Sequence, residues 1–422
     1  MMDKSLCVVI TGVPAGVLAL DDCGALSFRY RDGFRGTPLS LSMPVSNRVY
    51  PQKIVLPYLQ GLLPDSEDVR RSIAKRYDVG PNNVFALLSH IGLDLPGGVQ
   101  FCASQQLDGV LRRSGSYEPV TNREIGARLR NLDVPEDSWV GTSEHWSLGG
   151  NQGKFALAWH DGTWCSCKGS APTTHIFKNG IAGYRLQALN EFFCMRLARE
   201  CGIPAAEVRY EAFDGTPAII VSRYDRLTSD DGTVIRLHQE DLCQALSVPP
   251  SQKYTSDGGP DANAILGLLA TTSQAEENMR LFTVMLFFNC LIGATDAHAK
   301  NYSILLQGDG HALLAPLYDV ASALPYESLR RGGRLAMGIG GENRLGRMSE
   351  NALGRYARNG HLDRVGLDAD WCISLMRGLA ERITAEAVAL FDDLSDIDGM
   401  AELRSHLEDP LLENCRSVVM GL

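Results

Sequence analysis

The sequence lacks a stretch of apolar residues long enough to cross a bilayer. Its most apolar run, Leu281 to Ala294, contains Asn289 and is shorter than the roughly 20 residues that a transmembrane helix needs. At the N-terminus, Asp3 and Lys4 precede a short apolar stretch that glycine and proline interrupt, with no clear small-residue cleavage site. We therefore expect a cytoplasmic protein without a membrane segment or a secretion signal.

An excess of positive charge is also missing. The chain has 40 Lys and Arg residues against 50 Asp and Glu residues, which gives a formal net charge of −10. A protein that binds nucleic acid by itself needs a positive face for phosphate contacts. The basic clusters at 70–76 and 330–334 are typical of solvated surface. An autonomous nucleic-acid binder is therefore a poor interpretation of this sequence.

The cysteines form no paired pattern. There are 11 of them, an odd number, and they are scattered along the chain. Cys165 and Cys167 form a CxC without a second pair at zinc spacing, which disfavours a structural metal there. Dispersed cysteines in a long chain fit a reducing cytosol. With 45% hydrophobic and 21% charged residues, the composition is that of a folded globular protein.

Alternating and turn-rich segments dominate the first part of the chain. Residues 5–30 repeat short apolar strands separated by turns, which predicts a small antiparallel β-meander. GLDLPGG at 92–98 is typical of a loop. Apolar residues at helical spacing predict helices over 54–61, 66–77 and 81–90. We assign residues 1–105 to an N-terminal, β-rich subdomain.

The remainder of the chain changes from strands to helices. Up to about residue 235, Asp161-Gly162 and Asp214-Gly215 mark the turns of two predicted hairpins, with a helix over 186–200 between them. Beyond 235, residues 238–248 and 275–294 have the clearest helical patterns. A hairpin with a Gly-Asp-Gly tip follows the second of these helices. We assign the β-rich part to 106–235 and the helical part to 236–422.

This order of parts is the layout of a protein kinase, in which a β-rich lobe precedes a helical lobe. The predicted fold class is therefore α+β, a kinase-like bilobal fold with an extra N-terminal subdomain. Such an analogy is only a prior, and specific residues must support the chemistry. Phosphoryl transfer needs a cradle for the phosphates, a lysine, metal ligands and a carboxylate beside the attacking hydroxyl.

Two candidates for these parts lie in the predicted β-rich lobe. A glycine-rich segment runs from Ser147 to Lys154, and glycines allow backbone N–H groups to approach phosphate closely. Its spacing is not that of a Walker A motif, and a tight turn is the simpler interpretation of the segment alone. Lys178 ends the predicted strand THIFK, from which it can reach phosphates, although a solvated lysine is the default interpretation.

Two further candidates lie in the predicted helical lobe. Asp296 and Asn301 are five positions apart, as in the kinase catalytic loop, where Asp orients the substrate hydroxyl and Asn holds a metal. Asp319 closes the second strand of the predicted hairpin, at the place of the metal-binding Asp of the DFG motif. Val320 and Ala321 replace the Phe and Gly of that motif. Helix caps and turns explain each aspartate alone, but the four candidates occur together in kinase order.

Several stretches resemble the HipA-type serine/threonine kinases, and together they cover most of the chain. They are SLGGNQGKFAL, APTTHIFK, VSRYDR, HQEDLCQAL, KYTSDGGP, LIGATDAHAKN and LAPLYD. The resemblance implies a serine/threonine-protein kinase that uses ATP and Mg²⁺ and transfers the γ-phosphate to a protein hydroxyl. It also implies a kinase-like fold with an extra N-terminal subdomain.

The resemblance also implies a role for each motif. Asp296 would be the catalytic carboxylate, Asn301 and Asp319 would hold magnesium, and Ser147 would be the autophosphorylated serine. Ser222 stands where glutamate is common in the family, a change that a backbone contact to adenine tolerates. The implied ATP contacts are Gly149, Gly150, Asn151, Gln152, Gly153, Lys154, Lys178, Ser222, Arg223, Tyr224, His298, Ala299, Lys300, Asn301, Tyr318 and Asp319.

Partners and a target follow from the same resemblance. The partner would be a HipB-like helix-turn-helix antitoxin that neutralises the kinase and co-represses the operon with it, so that operator DNA is bound mainly through the antitoxin. The target would be an aminoacyl-tRNA synthetase, notably glutamyl-tRNA synthetase, whose phosphorylation stops translation and leads to growth arrest and persistence. Phosphate on Ser147 would add negative charge near the ATP phosphates and so expel the loop.

Two other interpretations remain open. A small-molecule kinase of the aminoglycoside phosphotransferase type usually has a histidine two residues before the catalytic aspartate, and Ala294 at that place counts mildly against it. A catalytically inactive co-repressor scaffold would not need Lys178, Asp296, Asn301 and Asp319 together. We favour the active kinase.

Overall fold

The computed structural model describes residues 4–132, 147–150 and 152–422. The chain divides into two compact units that alternate along the sequence. The first comprises Met1–Ile181, Glu211–Ser251 and Ile304–Ala312, and the second comprises Ala182–Tyr210, Gln252–Ser303 and Leu313–Leu422. The functional boundaries predicted near 105 and 235 stay a prediction.

The first sheet is an antiparallel sheet of five strands in the order β4-β3-β2-β1-β5. Its strands are β1 (Ser5–Ile10), β2 (Val13–Leu20), β3 (Leu26–Tyr30), β4 (Val49–Pro51) and β5 (Val99–Cys102). The predicted meander over 5–30 is therefore confirmed. Aromatic side chains that are at most 1% exposed fill the core beside this sheet: Phe28, Tyr50, Tyr58 and Phe101. The helices of this part are α1 (Gln52–Gly61), α2 (Glu67–Arg76) and α3 (Val84–Ile91).

Helix α3 begins later than the sequence pattern predicts. The Asn83 side chain accepts a hydrogen bond from the Ala86 N–H at 3.0 Å and caps the helix. Pro81 therefore lies in the turn before the helix. The helical hydrogen bonds begin after the cap, so the helix spans Val84–Ile91 and not 81–90.

A second sheet contains six strands in the order β10-β11-β9-β7-β8-β6. They are β6 (Gly115–Pro119), β7 (Phe155–His160), β8 (Thr163–Gly169), β9 (His175–Lys178), β10 (Val208–Phe213) and β11 (Thr216–Ser222). Along the chain, α4 (Leu107–Leu111) precedes β6, and α5 (Asn122–Asn131) and α6 (Gln187–Glu200) lie between strands of this sheet. Both Asp-Gly turns are confirmed: Asp161 and Asp214 have φ of 48° and 47°, and each is followed by a glycine with positive φ, as in a type I′ hairpin turn.

The segment HQED is a strand, although the sequence pattern predicts a helix from His238 onward. The carboxylate of Asp241 accepts from the Gln244 N–H at 2.9 Å, and the Gln244 side chain accepts from the Asp241 N–H at 2.9 Å. This capping box fixes the start of the helix at Leu242. The result is a strand β14 (His238–Asp241) followed by a short helix α7 (Leu242–Ala245), after β12 (Arg226–Thr228) and β13 (Val234–Arg236).

The predicted hairpin with the Gly-Asp-Gly tip is present, but its second strand is shorter than predicted and ends at Leu314. Its strands are β15 (Ser303–Leu306) and β16 (Ala312–Leu314), and they form a sheet with β14 in the order β14-β15-β16. The second unit contributes a further hairpin, β17 (Arg334–Ile339) and β18 (Glu342–Arg344). Short 3₁₀ turns lie at Ser104–Gln106, Pro250–Gln252, Thr255–Asp257, Ala299–Asn301 and Leu362–Val365.

Helices dominate the second unit. They are α8 (Ala262–Leu269), α9 (Ala275–Leu291), α10 (Glu327–Arg330), α11 (Glu350–Asn359), α12 (Ala369–Asp393) and α13 (Met400–Met420), together with α6. Helix α9 is central, because Phe282, Phe287 and Phe288 lie on different sides of it and are all fully buried. Over residues 4–132, 147–150 and 152–422, no helix has both the length and the apolar character to cross a membrane.

Candidate active site

Ser147, at the start of the glycine-rich segment, is buried in the first unit. Its N–H donates to the Asp94 carbonyl at 3.0 Å, and its hydroxyl donates to the Leu62 carbonyl at 2.8 Å. Only 1% of the residue is exposed. Both donor groups of Ser147 are therefore satisfied by the protein, and the hydroxyl is enclosed in this conformation.

Gly150 of this segment is required by its backbone conformation. Gly150 has a φ of +100°, and a Cβ at this position would lie 2.7 Å from Nζ of Lys154. Lys154 donates to the Gly149 carbonyl at 2.9 Å, which folds the lysine back over the glycines. Asn151 lies outside the described residues. Gln152 and Lys154 line a small cavity together with Pro64, Val69, Ile73, Ser147, Leu148 and Gly150.

Lys178 is the last residue of β9, as predicted, and it is buried. The register of β9 and β11 places Ser222 opposite His175, at the other end of β9 from Lys178. The Arg223 N–H donates to the Thr174 carbonyl at 2.9 Å and so continues the pairing past the strand end. The sheet therefore holds the predicted hinge and the predicted phosphate lysine at opposite ends of one strand pair.

The side chains of the predicted hinge have well-defined partners. Arg223 donates from Nε and Nη2 to the two oxygens of Asp225 at 3.0 and 2.9 Å, a bidentate ion pair. The hydroxyl of Tyr224 donates to the side-chain oxygen of Gln239. The side chain of Arg223 is only 2% exposed, so its charge is compensated inside the protein.

In the second unit, the loop 296–301 is arranged around the carbonyl of Asp296. This carbonyl accepts from the His298 N–H at 2.8 Å and from Nδ2 of Asn301 at 2.9 Å. The chain reaches the loop through Gly293, which has a φ of +69° and whose Cβ would lie 2.6 Å from Cγ of Leu324. These contacts fix the catalytic-loop candidates Asp296 and Asn301 relative to each other.

The residue Asp296 is exposed, but its carboxylate has lost part of its solvation and is held by a strong hydrogen bond. The Tyr254 hydroxyl donates to its Oδ1 at 2.6 Å. Burial raises the pKa of Asp296 above its ordinary value, and the nearby charge of Asp319 acts in the same direction, whereas Tyr254 and Lys253 oppose the shift. A raised pKa and a fixed orientation are the properties that a carboxylate needs in order to accept a proton.

His298 is a neutral imidazole beside this carboxylate. Burial, together with the charges of Lys253 and Lys300, lowers its pKa to about 3, and the charge of Asp319 opposes this shift. Its ring packs edge-on against Tyr254 with 4.8 Å between the ring centroids. Nδ1 is buried and has no hydrogen-bond partner within the part of the chain that the structure describes. A buried polar atom of this kind is expected to meet a ligand or a water molecule.

Asp319 has a left-handed backbone, with a φ of +59°. Aspartate tolerates this conformation better than most residues, but it is uncommon and often marks a functional position. The preceding Tyr318 donates its hydroxyl to the Lys300 carbonyl at 2.8 Å, which ties the Asp319 segment to the loop 296–301. Asp319 does not close a strand as predicted, because β16 ends at Leu314.

The predicted site residues therefore fall into two groups. Ser147–Lys154, Lys178 and Ser222–Tyr224 belong to the first unit, and Asp296–Asn301 and Tyr318–Asp319 belong to the second. Within the second unit the structure brings Asp296, His298, Asn301 and Asp319 together, with Ala299 and Lys300 buried in the 3₁₀ turn. As nucleotide contacts, all of these residues stay predictions.

Sequence reasoning assigned no role to Tyr254 and Lys253, which contact or influence Asp296. Both lie in KYTSDGGP, a stretch that carries the family resemblance and that could have identified them. The pairing itself spans 42 residues along the chain and has no local pattern.

Comparison with known proteins gives the family directly. A sequence model of the HipA-like C-terminal domain matches residues 146–389, and a model of the HipA N-terminal domain matches residues 6–102. The chain belongs to the HipA family. The two matches include every predicted site residue, from Ser147 to Asp319.

Relatives in the HipA family cover nearly the whole chain. The serine/threonine-protein kinase toxin HipA of Shewanella oneidensis is 28% identical over 396 residues, which cover 90% of this chain and 87% of that protein. Y4mE of Sinorhizobium fredii, whose name marks it as a candidate kinase, is 33% identical over 417 residues, or 96% of each chain.

A solved structure confirms the predicted HipA-type fold. It contains HipA, HipB and their operator DNA from Shewanella oneidensis MR-1, and one of its chains matches with a TM-score of 0.84 at 26% identity. The match covers 98% of this chain and 97% of that chain. The α+β, kinase-like fold class is therefore confirmed for this HipA-family member.

Proposed function

We propose that this chain is a toxin kinase that transfers the γ-phosphate of ATP to a serine or threonine hydroxyl of a protein. The observation that carries the proposal is the environment of Asp296. Its carboxylate is oriented by Tyr254 and has a raised pKa, and its backbone is tied to Asn301. The Shewanella oneidensis relative, which is named as a serine/threonine-protein kinase toxin, supports the same activity.

The residues of the second unit fit a magnesium-bound nucleotide. Mg²⁺ takes oxygen ligands and is commonly held by one or two protein groups together with phosphate oxygens. Because Nδ2 of Asn301 donates to the Asp296 carbonyl, its amide oxygen is the atom that would bind the ion, together with the carboxylate of Asp319. When bound, the ion would neutralise negative charge on the phosphate oxygens. The buried Nδ1 of His298 would then face the nucleotide.

The chain's own side chains account for the other requirements of the reaction. Asp296 would accept a hydrogen bond from the acceptor hydroxyl and then its proton. Lys178 and the backbone N–H groups of 149–154 would bind the phosphates, and the backbone of 222–224 would bind adenine. His298, neutral near pH 7, would add no charge that competes with these contacts.

The proposed target is an aminoacyl-tRNA synthetase such as glutamyl-tRNA synthetase, in the cytoplasm. Its phosphorylation would stop translation and lead to growth arrest and persistence. We further propose a HipB-like antitoxin that neutralises the kinase and co-represses the operon with it, binding operator DNA. The match over 97% of a chain from a complex of HipA, HipB and operator DNA supports this partner.

Self-phosphorylation at Ser147 tests the proposed activity. Incubation of the purified protein with radiolabelled ATP and Mg²⁺, followed by phosphopeptide mapping, is expected to place the label on Ser147. The Ser147→Ala variant should lose most of this label. Ser89→Ala is a suitable control, because the Ser89 hydroxyl also donates to a backbone carbonyl, that of Ala86 at 2.7 Å. Label on other peptides in the wild-type protein would refute self-inactivation at Ser147.

The same assay tests the target. Purified glutamyl-tRNA synthetase added as an acceptor should become labelled. The loss of its aminoacylation activity should increase in proportion to the label. Self-labelling without transfer to any synthetase would remove the target from the proposal and leave the kinase activity. No transfer at all, with ATP binding intact, would favour a small-molecule kinase or a co-repressor scaffold.

The pH dependence of activity should reveal the hydrogen bond from Tyr254. Asp296 must be ionised to accept a proton, so activity is expected to fall as the pH falls through its raised pKa. Tyr254→Phe removes an interaction that lowers this pKa, so the acid limb of the rate profile should move to higher pH. Tyr326→Phe serves as the control, because the Tyr326 hydroxyl donates to the Arg185 carbonyl elsewhere in the second unit. Superimposable profiles of Tyr254→Phe and wild type would contradict the assignment.

A further inference from the structure

A buried ionic network lies beside both predicted nucleotide-binding segments of the first unit. It joins two carboxylates to three guanidinium groups, and no side chain in it is more than 9% exposed. Its members are Asp94, Asp225, Arg223, Arg226 and Arg236. Buried charges persist only where nearly every group is paired and hydrogen-bonded. The network is therefore a specific arrangement and not a chance surface cluster.

Asp94 is the centre of this network. Its Oδ2 accepts from the N–H and the hydroxyl of Thr173 at 3.0 and 2.6 Å and from Nη1 of Arg223 at 3.3 Å. Its Oδ1 accepts from Nη2 of Arg226 at 3.0 Å and from Nη2 of Arg236 at 3.1 Å. Burial alone would raise the pKa of Asp94, but the three arginines and Thr173 outweigh it and hold the pKa well below its ordinary value. Asp94 is therefore ionised at neutral pH.

Asp94 lies in the loop 92–98, and the backbone of this loop adds a second set of contacts to the hinge. The Leu95 carbonyl accepts from Nη2 of Arg223 at 2.8 Å and from Nη2 of Arg226 at 2.9 Å. The Gly97 N–H donates to Oδ2 of Asp225 at 2.6 Å. Gly97 has a φ of +81°, and a Cβ there would lie 2.8 Å from backbone atoms of Gln239. The loop 92–98 is thus fitted closely to the residues that follow β11.

The backbone of Asp94, in contrast to its carboxylate, contacts the glycine-rich segment. Its carbonyl accepts from the Ser147 N–H at 3.0 Å. Asp94 therefore touches the start of the predicted phosphate loop through its backbone and the centre of the predicted hinge, Arg223, through its carboxylate. These two segments are about 75 residues apart along the chain, and Asp94 makes a direct hydrogen bond to each.

We propose that Asp94 is a positioning residue that sets the phosphate loop and the hinge at the spacing that ATP requires. The proposal rests on the proposed function, because it assumes that these segments bind the nucleotide. Asp94 lies within the match to the HipA N-terminal domain at 6–102, whereas Ser147 and Arg223 lie within the C-terminal match at 146–389. The N-terminal domain would therefore supply part of the geometry of the nucleotide site, and would be more than an appended module.

The test uses two substitutions in the network. The first removes the negative charge of Asp94, and the second removes a positive charge and so restores the net charge. Three arginines and two aspartates give the network a charge of +1, Asp94→Asn makes it +2, and adding Arg236→Gln returns it to +1. We expect Asp94→Asn to lower the melting temperature and to weaken Mg²⁺-ATP binding, measured by calorimetry, at least tenfold. The double variant should regain most of the melting temperature and keep the weak binding, because Arg223 and Thr173 still lack their anchor.

Arg236→Gln alone and Asp214→Asn are the controls, since Asp214 forms an exposed ion pair with Arg130. Both should bind ATP within about threefold of wild type, a difference below 1 kcal/mol. If the double variant regains its stability and its ATP affinity together, Asp94 is a structural residue only and the proposal is wrong. A wild-type protein that binds no ATP would instead refute the proposed function.

Hydrogen exchange on the wild-type protein provides a readout that needs no variant. Mg²⁺-ATP should slow amide exchange at 147–150 and 222–226, and, through Asp94, at 94–98 as well. Protection of the first two segments with no change at 94–98 would contradict the proposed coupling. This measurement decides the question even if Asp94→Asn and the double variant fail to fold.

Discussion

Replacement of Asp296 by asparagine is expected to lower the rate of phosphate transfer by about 10³-fold, a typical contribution of general base catalysis. Asparagine has the same shape and its Oδ1 can still accept the Tyr254 hydroxyl, so the loop 296–301 should keep its conformation. Its amide cannot accept the proton of an acceptor hydroxyl. Initial rates with radiolabelled ATP, at saturating ATP and Mg²⁺, measure the effect.

The control for this variant is Asp257→Asn. Asp257 is exposed and lies three residues after Tyr254, so it shares the local chain but not the contact with Asp296. It should retain near wild-type activity, and both variants should unfold at the wild-type temperature. Asp296→Asn with more than a tenth of wild-type activity would exclude Asp296 as the base.

Asp319→Asn is expected to lower activity at least 100-fold, since even the outer partners of metal ligands contribute 10- to 100-fold. It should also raise the Mg²⁺ concentration needed for half-maximal activity, because a neutral amide is a weaker ligand than a carboxylate. Asparagine tolerates the φ of +59° at this position nearly as well as aspartate. The change therefore removes the charge with little effect on the backbone.

Asp161→Asn is a matched control for this second variant. Asp161 also has a left-handed backbone, with a φ of 48°, but it occupies the β7–β8 turn and its side chain is 89% exposed. It should leave the Mg²⁺ dependence unchanged. An Asp319→Asn protein with a wild-type Mg²⁺ titration would assign the metal to other ligands.

Local patterns in the sequence were sufficient to predict most of the elements near the site. The Asp161-Gly162 and Asp214-Gly215 turns were predictable because few other dipeptides adopt two successive left-handed residues. Helix α6 was predictable over 186–200 because its apolar residues are dense and Gly202 follows it. In these cases the residues that determine the structure are neighbours along the chain.

Besides the start of α3, two elements were mispredicted because a local pattern permitted more than one outcome. In HQEDLCQALSV the apolar residues suit a helix, but Asp241 caps the chain in the middle of that run and turns its first part into a strand. Asp319 follows the hairpin, but the strand ends early and the intervening residues pair elsewhere, with Leu317 bridged to Ala205. Neither pairing is visible in the sequence of the segment itself.

Candidate residues for the site could be named from the sequence, but the environment of each candidate could not. The spacing of Asp296 and Asn301 identified the catalytic-loop candidates. That Tyr254 donates to Asp296, or that Asp94 anchors Arg223 from 129 residues away, follows only from the folded chain. Long-range pairs of this kind set the pKa and the orientation of a side chain. A sequence can therefore indicate which residues are candidates, but the pKa and orientation of each candidate require the structure.

The enclosed position of the Ser147 hydroxyl would determine how long the proposed toxin stays active before it inactivates itself. A side chain that is 1% exposed and bonded to Leu62 cannot receive phosphate until the segment leaves its position. If Ser147 is self-phosphorylated as proposed, the rate of self-inactivation would be the rate of phosphorylation of the opened segment multiplied by the fraction of molecules in which it is open. Each kinase molecule would thus remain active for an interval that depends on the packing of this segment. Substitutions at Val69 or Ile73, which line the cavity with Ser147, would change that interval without altering a proposed catalytic group.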